Sequence, residues 1–432
     1  MKVAIVGSGI SGLAAASRIC KAAEVTVFET AHYIGGHTNT VDVWSGGRSW
    51  AVDTGFIVYN DRTYPNLVRL FSDLGIRTRP APMTFSVSCQ QSGLEYRGAD
   101  LGGLFAWKRN LFNWRFHGLL RDIVRFNRQA VTELDSMDEQ ETVASWFERN
   151  RYSEAFYRYW FLPLGSSIWS CPRRRFESFP IRFIVQFYER HGLLSFRDRP
   201  QWRVVCNGSR EYLGPLTRPF ADRIRLNCPV QAIRRTADHV ELVCGILQET
   251  LRFDHVVFAC HADQALQILG PAATPTERAV LSAFPYQQNQ AVLHTDESVL
   301  PRRKRAWAAW NYHLPAGDSD QATLTYNMNI LQSLPARETF CVTLNSDQRI
   351  DPARIVRRFR YSHPVFDRRR TSMQQRFAEL QATNRTSFCG AYWGNGFHED
   401  GITSGLEAAR HLLERTSHEQ LSLRGTGAAP AV

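Results

Sequence analysis

KVAIVGSGISG, residues 2–12, is the stretch on which the reading of this chain turns. Val3 to Val6 is a short apolar, β-branched run, which predicts a buried strand. Gly7, Gly9 and Gly12 follow in G-x-G-x-x-G spacing, with Ser8, Ile10 and Ser11 between them, and LAAASRIC continues as a small-residue helix. Gly7 permits a tight turn, Gly9 lets a pyrophosphate approach the backbone, and Gly12 lets helix and strand pack closely. The helix N-terminus offers free N–H groups to a phosphate. A second strand, Val25 to Phe28, ends at Glu29 and Thr30. An acid about 20 positions past the glycines is the residue type that holds a ribose hydroxyl pair. Glycines alone are a weak signal. Strand, glycines, helix, strand and acid in that order are specific, and they predict a dinucleotide-binding α/β unit.

The ligand contact continues past that unit. Gly35-Gly36 is followed by His37, Thr38 and Thr40, and Asp53-Thr54-Gly55 interrupts an apolar strand. A nucleotide domain that stopped at the ribose needs neither feature. A long cofactor is implied, and FAD fits better than NAD. Near the other end, TSFCGAYWGNGFHEDGITSGLEAARHLL (386–413) reads as strand, glycine-rich loop and helix. Both ends of the chain therefore face one site. The expected division is a discontinuous FAD-binding domain over 1–80, 200–270 and 384–420. A substrate domain takes 81–199 and 271–383, and 421–432 is a flexible, small-residue tail.

The 432 residues carry a net charge of +11, with 44% hydrophobic and 22% charged residues, an ordinary globular composition. Lysine stands only at Lys2, Lys21, Lys108 and Lys304; the other basic residues are arginine. No dense basic run or nucleic-acid motif is present, so nucleic acid is not the expected partner. An anionic substrate or an anionic membrane surface uses the charge better. Nine scattered cysteines with no C-x-x-C pair argue for reduced thiols in the cytoplasm, against disulfides or a metal site. A strand starting at residue 2 leaves no room for a secretory leader, and no run reaches the roughly 18 apolar residues of a membrane span.

Residues 84–97 alternate like a strand pair, and 142–162 read as an aromatic helix. Residues 101–131 mix Phe105, Trp107, Phe112, Trp114 and Phe116 with Lys108, Arg109, Arg115, Arg121, Arg125 and Arg128. Such a stretch can lie on a membrane surface. It can equally be a core helix with a solvated arginine face.

On these residues the chain resembles the flavin amine oxidase superfamily, which includes monoamine and polyamine oxidases and phytoene desaturases. The resemblance is carried by Gly7, Gly9, Gly12, Glu29, Gly35, Gly36, Asp53, Gly55 and the terminal GNGFHEDGITSG. The chain is still more similar to a bacterial subgroup of NAD/FAD-binding, amine-oxidase-like proteins. Some of these are tied to cyclopropane, methyl-branched or furan fatty acid synthesis. PLGSSIWS (163–170), HGLL (191–194), HADQAL (261–266), AWNYH (309–313), TYNMNILQSL (325–334) and CGAYWGNGFHEDG (389–401) carry that closer likeness.

The resemblance implies a Rossmann-like FAD-binding domain of the amine oxidase type with a discontinuous α+β substrate domain. Gly7 to Gly12 would hold the pyrophosphate, and Glu29 with Thr30 the adenosine ribose. Gly36, His37 and Thr38 would flank the ribityl and pyrophosphate, and Gly55 and Phe56 the flavin ring. Val230 would meet the adenine through its backbone. Glu399, Asp400, Gly401 and Ile402 would start the last helix, its N-terminus aimed at the flavin. That end would stabilise negative charge on the reduced ring. His37 stands where the superfamily often has arginine. The strand NQAVLHTD (289–296) lacks the lysine that amine oxidases place near the flavin, which puts amine oxidation in doubt. Cys389 precedes Gly390 and could carry a covalent flavin; a buried core thiol, with FAD held non-covalently, is the expected state.

The expected activity is dehydrogenation of a modified fatty-acyl chain by hydride transfer to FAD. A flavin amine oxidase is one alternative, and a flavin-binding accessory protein of a lipid methyltransferase another. Trp169, Trp310, Tyr326 and Trp393 are the expected substrate pocket. His398 is the expected proton-handling group, against a plain structural histidine. The expected location is cytoplasmic, touching the inner membrane surface.

Overall fold

A computed structural model describes residues 1–169, 171–195, 199–316, 323–365, 367 and 369–425. A parallel sheet forms its frame. The strands run in the order Ile224–Arg225, Glu24–Phe28, Lys2–Val6, His255–Phe258, Thr386–Phe388. Val3 is in register with Val25 on one side and His255 on the other. The first strand is thus the central one, and the chain leaves it where the strand order reverses, the point at which open α/β sheets bind ligands. These strands are apolar on both faces because helices and a second layer cover them. Helix Ile10–Ile19 covers one face, with Leu13, Ala14, Ala15 and Ala16 all buried. Its small residues let the last helix, His398–Gly425, pack alongside. A Cβ on Gly405 would stand only 2.2 Å from the Ser11 carbonyl oxygen.

The second large sheet is mixed. Its order is Ile355–Pro364, Tyr286–His294, Cys341–Leu344, Leu324–Asn327, Trp310–Leu314, Phe85–Cys89, Glu95–Arg97. Between Phe85–Cys89 and Trp310–Leu314 the pairing is parallel; the other pairs are antiparallel. Residues 101–190 form a helical layer around a buried aromatic cluster that includes Phe126, Trp146, Phe156, Phe161, Trp169 and Phe176.

Two expectations change. The run 142–162 is not one helix. Val143–Asn150 stops at Arg151, whose left-handed backbone breaks the ladder, and Glu154–Phe156 passes through a π-turn at Tyr157–Phe161. The helical path then continues through Leu162–Trp169. The tail is shorter than expected: 421–425 end the last helix, and 426–432 lie outside the described residues. Among the described residues no helix is long and apolar enough to cross a membrane.

Candidate active site

A cavity of about 1030 Å³ lies where the parallel sheet, the mixed sheet and the helical layer meet. Its near end is the glycine loop. Gly7 turns the chain out of the sheet at φ +108°, a conformation that favours glycine. A Cβ on Gly9 would meet no atom within 4 Å, so the cavity reaches that backbone directly. A Cβ on Gly12 would lie 2.1 Å from the Gly7 carbonyl oxygen, which is the close helix-strand contact the spacing implied. Gly36 approaches Gly9 so closely that its own Cβ would stand 3.2 Å from the Gly9 Cα. The two glycine loops therefore form one cradle.

Glu29 is held in place beside it. One carboxylate oxygen accepts from Ser8 N (3.0 Å) and Ser8 Oγ (2.6 Å), and the other from Ala31 N (2.8 Å). Gly7, Ser8, Gly9, Ile10, Ser11, Glu29, Thr30, Gly36, His37, Gly55, Phe56, Val230, His398 and Gly401 all border the cavity. Val230 does so from the first strand of a three-stranded meander, beside a bulge that turns its backbone.

Three histidines face the same space. The His37 ring lies 5.3 Å from that of His363 and 6.5 Å from that of His261, centre to centre. The tautomer of His363 is fixed from a distance. Gln290 N donates to Asn345 Oδ1 (3.0 Å), so Asn345 Nδ2 donates to Asn289 Oδ1 (2.8 Å). Asn289 Nδ2 must then donate to His363 Nδ1 (2.8 Å), which leaves Nε2 carrying the proton. Burial holds His37 and His261 at about 4 and His363 at about 3, so all three rings are neutral at pH 7. His37 Nε2 is buried with no hydrogen-bond partner among the described residues. An open glycine cradle, a fixed acid and an orphaned ring nitrogen fit the phosphates and ribose of a dinucleotide.

The far end is apolar. Ile57, Met83, Phe85, Leu164, Trp169, Phe187, Trp310, Tyr326 and Leu344 line it. Of the lysine, arginine and carboxylate side chains among the described residues, only Glu29 and Arg199 border the cavity. The sequence reading missed His261, His363, Phe187 and His191. HADQAL and HGLL had marked two of them as motifs without giving them a task.

Several expected site residues are elsewhere. Trp393 does not line the cavity: it packs behind it on Phe284 and Phe377. Thr38 is buried, its hydroxyl shared with Tyr212 (2.5 Å) and His398 Nε2 (3.0 Å). Glu399 turns away and caps the helix Pro65–Asp73, accepting from Asn66 N (2.9 Å) and Leu67 N (3.0 Å). Asp400 closes its own loop by accepting from Phe397 N (2.8 Å), and Ile402 is core. At the last helix, then, His398 and Gly401 meet the cavity. At His398 the ring stacks on Phe56 at 3.6 Å, Nε2 faces the hydroxyls of Thr38 and Tyr212, and burial lowers it to about 3.

Cys389 is fully buried, and burial pushes its thiol far up. Cys260 borders the cavity and is pushed up to about 12. Neither offers a thiolate for flavin attachment. Acid precipitation of the yellow protein is expected to release all the flavin into the supernatant. Colour retained in the pellet would contradict this.

A comparison with functionally curated proteins gives no match. Among solved structures, cyclohexylamine oxidase from Brevibacterium oxydans IH-35A is 17% identical, with a TM-score of 0.68 over 96% of this chain and 99% of that one. A candidate protoporphyrinogen oxidase from Exiguobacterium sp. 255-15 is 17% identical, with a TM-score of 0.67 over the same shares. A conjugated-linoleic-acid-producing fatty acid isomerase from P. acnes is 13% identical, with a TM-score of 0.65 over 96% and 98%. At these identities the likeness is one of fold. The family of flavin containing amine oxidoreductases matches residues 10–413, nearly the whole length over which both ends of the chain build the cavity, and the protein belongs to that family, an FAD-dependent oxidoreductase.

Proposed function

We propose that the protein dehydrogenates a fatty-acyl chain. FAD, when bound, supplies the acceptor for a hydride from a C–H bond. Gly7 to Gly12 and Gly36 hold its phosphates, Glu29 its ribose, and Gly55 and Phe56 border its ring. The chain's own task is to admit an apolar substrate and keep water away. One observation carries the reading: among the described residues, the far end of the cavity has aromatic and aliphatic walls without a lysine or a carboxylate. The lysine position looked for on strand Tyr286–His294 offers no candidate. Asn289 is buried and engaged with His363. FAD held by the glycine loops would supply the two-electron acceptor, so the removed hydrogens would leave as a hydride and a proton.

Anaerobic mixing of the holoprotein with phospholipids or acyl esters tests this directly. Bleaching of the flavin, with a lipid product two mass units lighter, is the expected result. Unchanged flavin with every acyl class would refute it. Simple amines are expected to be poor substrates. An ammonium brought into these walls finds no opposite charge, at a cost of several kcal/mol, so turnover falls at least about a hundredfold below that on the acyl chain. Peroxide formed briskly from mono-, di- or polyamines would favour the amine oxidase reading instead.

A further inference from the structure

Leu111, Phe112 and Trp114 stand on the surface at one tip of the helical layer. Phe112 is 89% exposed and Trp114 76%. The tip is not loosely held. Asn110 is fully buried and donates to the carbonyls of Glu95 (3.3 Å) and Leu104 (3.2 Å). Asn113 caps the next helix, Trp114–Glu133, accepting from Arg115 N (3.1 Å) and Phe116 N (3.4 Å). Phe116 and Leu119 anchor that helix inward. With Asn110 and Phe116 locked inside, the residues between them have to face water. A rigid turn that displays large apolar side chains marks an interaction site.

The charge around the tip says what it meets. Lys108, Arg109, Arg115 and Arg121 are all exposed. No acid lies between Asp100 and Asp122 in the sequence. Asp100 is paired with Arg97, and Asp122 is buried, accepting from Ser153 N (3.0 Å). The tip is therefore uniformly cationic, with apolar points among the charges. A folded acidic partner would match the cations but would need a groove for two protruding rings. An anionic lipid surface accepts both at once, rings in the interface and guanidinium groups at the phosphates.

We infer that this tip docks the protein on an anionic membrane surface. The site rests on the surface alone and holds whatever substrate the cavity takes. The tip also connects to that cavity. Phe85, which borders it, belongs to the same packed cluster as Leu104, Phe105 and Trp107 beneath the tip.

Sedimentation of the holoprotein with vesicles tests the inference. Vesicles of phosphatidylcholine with phosphatidylglycerol are expected to carry it down at low salt. High salt, or phosphatidylcholine alone, is expected to release it, because attraction acts within a Debye length of about 8 Å. Each cation near such a surface contributes roughly fivefold, so Arg109→Gln with Arg115→Gln lowers partitioning about 25-fold. Phe112→Ser with Trp114→Ser is expected to abolish it while flavin content and unfolding temperature stay unchanged. These residues lie outside the cavity, so the variants keep their flavin. Protein that stays in the supernatant at both salts overturns the inference. So does undiminished vesicle binding by the Phe112→Ser, Trp114→Ser protein.

Discussion

Replacing Gly9 by valine is expected to give a folded protein that binds no FAD, whereas replacing Gly12 by alanine is expected to give no folded protein. The two glycines belong to one motif and sit three residues apart, yet they meet different neighbours. Gly9 has φ −67° and ψ 175°, an extended backbone that valine adopts readily. Its missing side chain points into open space. Valine there touches nothing in the empty protein, and stability changes by no more than about 0.5 kcal/mol. It does fill the place where a pyrophosphate must approach the backbone, so affinity falls at least about a hundredfold. A Cβ on Gly12 would stand 2.1 Å from the Gly7 carbonyl oxygen and 2.9 Å from the Ala259 Cβ. The nearest obstacle is backbone, which no rotamer change relieves. Strand and helix have to separate along the core of the parallel sheet, at a cost of about 4 kcal/mol or more. Circular dichroism and flavin content of both variants decide the matter. A Gly9→Val protein with full flavin would show that the loop does not cradle the phosphates. A stable Gly12→Ala protein would show that the helix does not press on the strand.

That contrast marks what the sequence could reveal. The glycine loop, the first two strands and Glu29 were legible because their geometry is local: turn, cap and acid follow one another within thirty residues. The pairing of the two chain ends was legible from the second glycine-rich loop. Side-chain direction at the last helix was not. His398 to Ile402 were all read as facing the flavin, yet a helix sends successive residues to different sides. Glu399 caps a helix more than 300 positions earlier, and Ile402 goes into the core. Trp393 looked like its fellow tryptophans in composition, but a short 3₁₀ turn at Ala391–Trp393 puts it behind the wall. The relay that fixes His363 joins Asn289 and His363, from two paired strands, with Asn345, the residue just past a third. It has no sequence period, because it exists only when those strands pair.

Mild acid is expected to destabilise the protein by at least about 3 kcal/mol between pH 7 and pH 5.5. The cause is buried neutral histidine. His191, His255 and His294 are all less than a tenth exposed. His191 donates Nδ1–H to the Phe187 carbonyl at 2.8 Å and stacks on that ring. His255 lies between adjacent strands, with Nε2 3.0 Å from Ser387 Oγ, near Arg385 and Arg415. His294 accepts from Asp296 N at Nδ1 (3.1 Å) and so donates from Nε2 to Thr343 (2.8 Å), which leaves no place for a second proton. Burial lowers His191 and His294 to about 4 and His255, aided by the two arginines, to about 3. The unfolded chain titrates near 6.5 and takes up the proton first. Stability is therefore complete above 6.5 and is lost as pH falls toward 4. Each histidine gives up about 1.4 kcal/mol by pH 5.5, or about 4 kcal/mol for the three. Asp53 works in the opposite sense. Burial raises it to about 6 despite hydrogen bonds from Thr40, Ser209 and Gln332, so the folded state gains its proton first as pH falls. That offsets about 1 kcal/mol, so these four groups alone lose about 3 kcal/mol. His37, His261, His363 and His398, held low by the same burial, add to the loss, and Asp400, raised to about 6, takes back about 1 kcal/mol of that addition. A net stability of 5–15 kcal/mol is usual, so the loss is large. Denaturant titrations at the two pH values measure it. General charge repulsion would also weaken a protein of net charge +11, and one variant separates the two causes. His294→Gln cannot titrate, so it should cost stability at pH 7 but lose about 1.4 kcal/mol less on acidification. Equal acid losses in the variant and the parent would place the sensitivity in surface charge rather than in these rings.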